Sequence, residues 1–372
     1  MRLFLAVVAA LLICSLMLTT SVFAANVTGS LPTLSAKSAI LIDGCEGDVI
    51  YEKNAKERMG MASTTKIMTA LVVAQKLPLD KRIVIPKEAV NVEGSSVYLT
   101  EGEILTVREL LCALMLASAN DAAVALAIAT AGSVEAFAEL MNASVDKMGL
   151  CDTHFVNPHG LYDEQHYTTA YDLARIAACA LENPAIREIA STQKVTIPQG
   201  VTDSSPSGAS SRYLKNHNKM LWLYDGAIGL KTGFTKKTGR CLVSAAERDG
   251  LMLVAVTLSA PDDWRDHTEM LDYGYSLYER VTLLDAGEYT YQYAVCGGRG
   301  QYVTLTNKES VVMTLKKDRK KEELFVYSMH RFEFAPIKEG AELAYLTVRC
   351  EGKEQIVSLV AAYSVERATK GR

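Results

Sequence analysis

Two short apolar runs open the chain's readable pattern. Ala39-Ile40-Leu41-Ile42-Asp43-Gly44 and Gly47-Asp48-Val49-Ile50-Tyr51 flank a Gly-containing turn and predict a hairpin. After Gly60 the period lengthens: Ile67, Met68, Leu71, Val72 and Leu77 share one helical face, and Pro78 is a stop signal. Ser63 therefore falls at a helix start. Thr106-Val107-Arg108-Glu109 reads as a capping box ahead of an apolar helix over 110–117, because the Thr hydroxyl and the Glu carboxylate can each satisfy an amide left open in the first turn. Further helices are predicted over 121–131, from Ser133 to a Gly149 cap, and from Thr168 or Thr169 to before Pro184. Ser118-Ala119-Asn120 then lies in a short connection between two helices.

Beyond this helical middle the pattern turns to sheet. Residues 204–211 form a Ser/Gly-rich loop, and 226–235 read as a strand. Cys241-Leu242-Val243-Ser244-Ala245-Ala246 and Leu251-Met252-Leu253-Val254-Ala255-Val256 flank Asp249-Gly250, a dipeptide that tolerates the positive φ of a tight hairpin. A helix over 263–280 closes this part. From 281 onward β-rich runs follow, with a charged stretch at 316–323 read as a solvated hairpin tip. The expected fold is mixed α/β (α+β): an antiparallel sheet flanked by helices with an all-helical insertion, then a small C-terminal all-β domain. The expected boundaries are 25–280 and 281–372.

The first residues stand apart. Met1 and Arg2 precede an apolar run over 3–17, and Val22-Phe23-Ala24 is a small-residue cleavage site, so residues 1–24 read as a secretory signal peptide. The alternative, a membrane span, needs a longer apolar run of ~20 residues. The remaining chain of about 348 residues is long enough for two domains. With 39 basic and 43 acidic residues the formal charge is −4, which gives no broad basic field for nucleic acid. Cys45, Cys112, Cys151, Cys179, Cys241, Cys296 and Cys350 are odd in number and contain no Cys-x-x-Cys pair, so buried thiols are expected rather than a disulfide framework or zinc site. His154, His159, His166, His217, His267 and His330 show no metal spacing and are read as structural. No cofactor or metal is expected.

Candidate chemistry lies in three motifs: Ser63-Thr64-Thr65-Lys66, Ser118-Ala119-Asn120 and Lys231-Thr232-Gly233. A serine hydroxyl is a poor nucleophile unless a base takes its proton. On a helix, i and i+3 share a face, so the Lys66 amine can reach Ser63. A free lysine is protonated at neutral pH, and burial or a second cation such as Lys231 would favour the neutral amine. Ser118 would relay a proton to a leaving amine, and Asn120 offers a donor and an acceptor to substrate and to Lys66. Lys231 and Thr232 form a cationic, hydroxyl-bearing strand edge suited to a carboxylate, and Gly233 leaves room for an extended peptide. Each motif alone is common as a helix start, a cap or a strand end; their order and their elements point to acyl transfer.

On these motifs, with Gly94-Ser95-Ser96-Val97-Tyr98-Leu99, Asn157-Pro158-His159-Gly160-Leu161 and Thr169-Ala170-Tyr171-Asp172-Leu173-Ala174, nearly the whole mature chain resembles the D-alanyl-D-alanine carboxypeptidases, the low-molecular-mass penicillin-binding proteins. The resemblance implies a two-domain serine peptidase acylated at Ser63 by peptidoglycan stem peptides ending in D-Ala-D-Ala, with release of D-alanine and with β-lactams as slow-leaving acylating inhibitors. It also implies an oxyanion hole from the amides of Ser63 and Phe234, and a carboxylate contact from Arg265.

Two departures stand out. Ala119 replaces the glycine usual in the family's Ser-Gly-Asn, adding a methyl expected beside the cleft. The family commonly ends in an amphipathic membrane-anchoring helix, whereas residues 363–372 make under three turns with few apolar positions, so membrane association stays open. Three other readings compete: a class A-like β-lactamase, a D,D-endopeptidase and a non-catalytic muropeptide-binding protein. The first requires a glutamate that activates the deacylating water, and Glu164 sits in an unfamiliar setting. A pure binder would not need an activated nucleophile.

Overall fold

The computed structural model describes residues 31–200, 210–318, 323–327 and 330–368. The expected signal peptide, most of the Ser/Gly-rich stretch and half of the charged stretch lie outside these residues. The hairpin β1 (Ser38–Asp43) and β2 (Val49–Lys53) comes first, followed by a 3-10 turn at Ala62–Thr65 that runs into α1 (Lys66–Lys76). A short ribbon, β3 (Arg82–Val84) with β4 (Ile104–Thr106), leads to α2 (Val107–Leu116), α3 (Asn120–Ala131), α4 (Val134–Lys147), α5 (Ala170–Leu181) and α6 (Pro184–Ser191). A second ribbon, β5 (Lys194–Gln199) with β6 (Ser210–Lys215), is followed by the single turn α7 (Met220–Leu223). Strands β7 (Ala227–Thr235), β8 (Gly239–Arg248) and β9 (Leu251–Leu258) and helix α8 (Asp263–Leu277) complete this part.

The central sheet is five-stranded and antiparallel in the order β2-β1-β9-β8-β7, so β7 is an edge. Strand β9 is buried at every position. Its alternation sends Leu251, Leu253 and Ala255 to a core shared with α8, and Met252, Val254 and Val256 to the larger core under the helices. The sheet thus separates two cores. Helix α3 is buried over Asn120–Ala127 and serves as the central post of the helical side.

Local signals act as their chemistry requires. Thr106 and Glu109 form the complete capping box of α2. Asp249 and Gly250 have φ of 49° and 78°, the twin positive values of a type I′ hairpin turn. Pro184, expected as a stop, also opens α6 at its first turn with Asn183 as cap, a position where the missing N–H costs nothing. Ser210 and Ser211, expected in a loop, start β6. The helix expected to reach residue 280 ends at Leu277, where the chain turns into β10 (Tyr278–Leu284). Cys112, Cys241 and Cys350 are buried as expected, but Cys45, Cys151 and Cys296 are exposed.

The C-terminal domain is all β and has its own core, including Val303, Leu305, Leu346 and Leu359. Strand β10 pairs with β13 (Val311–Lys316). The remaining strands are β11 (Thr290–Cys296), β12 (Tyr302–Asn307), β14 (Glu323–Tyr327), β15 (Phe332–Phe334), β16 (Glu342–Cys350) and β17 (Lys353–Ala361), in a six-stranded sheet ordered β14-β16-β17-β12-β11-β15. Charge ties the two parts together. Glu46, in the β1–β2 turn, pairs with Arg280, accepts from the Thr314 amide at 2.9 Å and meets Lys353 Nζ at 2.7 Å. Among the described residues no single helix is long and apolar enough to cross a membrane.

Candidate active site

Ser63 sits on the 3-10 turn that precedes α1. The residue before it, Ala62, has φ of 48°, a left-handed value that a non-glycine residue adopts only when its surroundings hold it there. Several do. Thr64 Oγ1 donates to Met61 O at 2.6 Å, and Thr65 Oγ1 donates to Ala62 O at 2.8 Å. His166 supports Thr65 from below: its Nδ1 accepts from the Val156 amide at 3.1 Å, so the proton resides on Nε2, which lies 2.7 Å from Thr65 Oγ1. Two glycines close the walls. A Cβ on Gly160 would lie 1.9 Å from Ala62 O, and one on Gly233 would lie 3.0 Å from both Met61 O and Ser63 N.

Lys66 is fully buried, and its Nζ has three close partners. Ser63 Oγ is at 3.0 Å, Asn120 Oδ1 at 2.7 Å and His159 O at 2.6 Å. A neutral amine has two N–H donors and one lone pair. The two carbonyl oxygens can only accept, so in the neutral form they take both N–H bonds and leave the lone pair for the Ser63 hydroxyl, whereas the ammonium donates to all three. Burial, and then the charge of Lys231, hold the Lys66 pKa well below the ordinary lysine value, with Asp121 opposing weakly. Geometry and electrostatics both suit a base beside a hydroxyl nucleophile.

The second motif is fixed through its backbone and its neighbour. Asn120 Nδ2 donates to Glu93 O at 2.6 Å, and the Asn120 amide donates to Ser95 O at 2.7 Å. Asp121 accepts from Ser96 Oγ at 2.5 Å and from the Val97 and Leu99 amides, each at 3.1 Å, so it holds the 94–99 loop against this corner. Ser118 has φ of 61° and lines the cleft. Ala119 differs from expectation: its methyl is fully buried in the helical core rather than placed beside the cleft.

The third motif lies on edge strand β7. Lys231 is buried, its Nζ donates to Thr232 O at 3.1 Å, and burial pulls its pKa down to about 7. Thr232 and Phe234 share one face of β7, and Phe234 pairs with Arg240 on β8, so the Arg240 side chain stands on the Thr232 face. Its Nη2 lies 2.6 Å from Asp263 Oδ1, its guanidinium 5.7 Å from the Trp264 ring, and its buried Nε has no hydrogen-bond partner among the described residues. Arg265 does not join them. Its side chain is 54 % exposed and sits 3.4–3.7 Å from Asp266 and Glu269 on its own helix and from Asp262 just before it, outside the cleft lining. The guanidinium that faces the cleft is Arg240.

Together these groups enclose a cleft of about 360 Å³ with Ser63, Ser118 and Thr232 in its walls. His217 and Lys219 also line it. Among the described residues no cluster of three or more His, Cys, Asp or Glu could hold a metal. Sequence reading missed Arg240, His217, the His159 carbonyl and the support from His166. Only Arg240 left a trace, in its pairing with Phe234 across a short Lys-rich turn. A backbone carbonyl has no residue signature.

Comparison with known proteins agrees with this geometry. The family described as D-alanyl-D-alanine carboxypeptidase matches residues 25–262, and that described as penicillin-binding protein 5, C-terminal domain, matches residues 278–367. D-alanyl-D-alanine carboxypeptidase DacF of Bacillus subtilis is 34% identical over 340 residues, covering 88% of this chain and 85% of that protein. Penicillin binding protein 5 from Haemophilus influenzae superposes with a TM-score of 0.71 at 26% identity, over 91% of this chain and 99% of that one. The Streptomyces K15 DD-transpeptidase gives a TM-score of 0.63 at 35% identity, over 67% of this chain and all of that one. With a nucleophile, a buried lysine and a strand edge in this arrangement, and a matching catalytic region and C-terminal domain, the chain belongs to the D-alanyl-D-alanine carboxypeptidase family of serine peptidases.

Proposed function

We propose that the protein removes the terminal D-alanine from peptidoglycan stem peptides through an acyl-enzyme on Ser63. The observation that carries this reading is the buried Lys66 Nζ, which lies 3.0 Å from Ser63 Oγ, 2.7 Å from Asn120 Oδ1 and 2.6 Å from His159 O. Ser63 attacks the D-Ala-D-Ala carbonyl as Lys66 takes its proton. The amides of Ser63 and Phe234 receive the oxyanion, and donors in such a place contribute ~10²–10³-fold in rate. Ser118 passes a proton to the departing amine, and Asn120 orients Lys66 and the peptide. Lys231, Thr232 and Arg240 hold the terminal carboxylate, with Gly233 clearing the strand edge. Arg240 takes the role expected of Arg265. Water then frees the acyl group from Ser63.

β-Lactams acylate the same serine and leave slowly. The class A-like β-lactamase reading lacks support, because the carboxylate of the cleft wall is Asp263, already paired with Arg240, while Glu164 is exposed on a loop outside it. Family members act on peptidoglycan peptides, so the site of action is extracytoplasmic. Export by residues 1–24 belongs to the same proposal, as does the division into a catalytic unit (25–280) and a β-rich unit (281–372), whose junction falls within β10. The deciding experiment is release of free D-alanine from a peptide ending Lys-D-Ala-D-Ala. Release by the wild-type protein and its loss in Ser63→Ala are expected; release that survives the substitution refutes the acyl-enzyme.

A further inference from the structure

The groups that receive the departing residue, Ser118, Thr232 and Arg240, line the cleft beside Ser63. The acyl half of the substrate therefore leaves Ser63 on the other side, past two segments packed against the nucleophile turn. One is the loop 157–162, in which a Cβ on Gly160 would meet Ala62 O and the His159 carbonyl accepts from Lys66 Nζ at 2.6 Å. The other is the turn 235–238 between β7 and β8, whose Thr238 methyl occupies the space left by Gly60: a Cβ there would lie 2.5 Å from Thr238 Cγ2. An exposed side chain from each segment meets the other, with Lys237 Nζ 4.3 Å from the centre of the Tyr162 ring.

Both sides of this pair are held in place. The Thr235 amide donates to Thr238 Oγ1 at 3.2 Å and the Thr238 amide returns a bond to Thr235 Oγ1 at 3.0 Å, which staples the turn. Asn157 fixes the loop, its Oδ1 accepting from the Gly160 amide at 2.7 Å and its Nδ2 donating to Leu161 O at 3.0 Å. The ring face attracts the Lys237 ammonium without using its three N–H donors, and among the described residues these meet no acceptor. Lys236 is exposed on the same turn, and neither lysine forms a salt bridge among the described residues, although Asp163 and Glu164 follow Tyr162 in the chain. Two uncompensated ammonium groups beside a phenol ring suit an aliphatic side chain that ends in a carboxylate; one that ends only in an amine meets like charge.

We propose that Tyr162 and Lys237 form a subsite that selects the third residue of the acyl-donor stem, favouring a side chain whose end carries a carboxylate over one that ends in an amine alone. This inference rests on the Ser63 acyl-transfer reading. The acylated D-alanine contributes only a methyl, so the residue before it is the first with a side chain long enough to reach the pair. The carboxylate accepts from the free N–H donors of Lys237, and the aliphatic stem lies along the Tyr162 ring. Lys236 adds to the positive field of the turn.

The test measures kcat/KM for D-alanine release by the full exported chain on two pentapeptides that differ only at the third residue. In one its side chain ends in an amine; in the other the terminal carbon carries a carboxylate as well. Wild type is expected to release D-alanine from both and to favour the second by about fivefold, the scale of an exposed ion pair, with the ratio falling as salt is raised. Lys237→Arg should keep the preference, Lys237→Ala should bring the ratio to within about twofold of one, and Lys237→Glu should reverse it. A pair that only braces the two segments would lower both rates together and leave the ratio unchanged. No preference in wild type, or the same ratio in wild type and Lys237→Glu, overturns the subsite and leaves the carboxypeptidase reading intact. No release from either peptide by folded wild type overturns that reading together with the subsite.

Discussion

Arg240 and Arg265 carry the same charge and lie within one turn of the cleft in sequence terms, yet their surroundings separate them. Arg240 stands on the Thr232 face, held by Asp263 and with a buried Nε that has no partner among the described residues, whereas Arg265 is spread among Asp262, Asp266 and Glu269. A charge-assisted hydrogen bond to a carboxylate is worth ~1.5–3 kcal/mol, or about 10–100-fold. Arg240→Ala should lower kcat/KM on the free-acid peptide by that factor and barely affect the matching peptide amide, while Arg265→Ala stays within twofold on both. Steady-state kinetics on the two peptides check this, and a larger loss in Arg265→Ala would reverse the assignment. That Ser63, Lys66 and Asn120 meet was legible because each sits in a motif whose chemistry has few other uses in that order. Arg240 was not, because its relevance comes from a partner across a strand pair.

At the scale of elements, the 3-10 turn is shaped by what packs on it. Gly160 (φ 88°) would drive a Cβ into Ala62 O, whereas Gly149 (φ 71°) caps α4 with nothing within 4 Å of the same atom. Gly160→Ala must displace the backbone that aims Ser63, and a misplacement of ~1 Å costs on the order of 10² in rate. Gly149→Ala is expected to cost ~1 kcal/mol of stability through its positive φ alone and to leave acylation unchanged. Penicillin labelling rates beside thermal unfolding distinguish the two, and normal labelling in folded Gly160→Ala would contradict this account. Helix caps and the Asp249-Gly250 hairpin were readable in the sequence because they act over three or four residues. The end of α8 was not, since Tyr278 becomes strand only through β13, more than thirty residues on.

At the scale of the whole molecule, burial imposes a pH limit. His267 lies within the α8 side of the sheet, with Nδ1 close to Ser244 Oγ and Nε2 3.0 Å from Thr257 Oγ1, and burial lowers its pKa to about 3. His166, under the nucleophile turn, is lowered to about 4, again chiefly by burial. In the unfolded chain both titrate near 6.5. Between the folded and unfolded values the unfolded state binds more protons, so their stability contribution is whole above pH ~6.5 and declines as pH falls towards 4. Each histidine adds a slope of about 1.4 kcal/mol per pH unit across that window. Denaturant unfolding of His267→Gln between pH 7 and 4.5 should show a shallower acid loss than wild type by one such slope; an unchanged slope would mean that His267 is not held neutral.

The order of its motifs and the change from helical to strand period were enough for the sequence alone to determine the reaction class and the mixed fold with its C-terminal β domain. Those features are local: a cap, a turn, an i to i+3 pair. Tertiary structure decided the rest. The His159 carbonyl completes the Lys66 environment from 93 residues away, and His166 props Thr65 across 101 residues. Arg240 lines the cleft and Arg265 does not, because strand register, rather than nearness in the chain, directs a side chain there. The lowered pKa of Lys66 likewise depends on burial and on Lys231, which only the packed sheet and helices bring to one place.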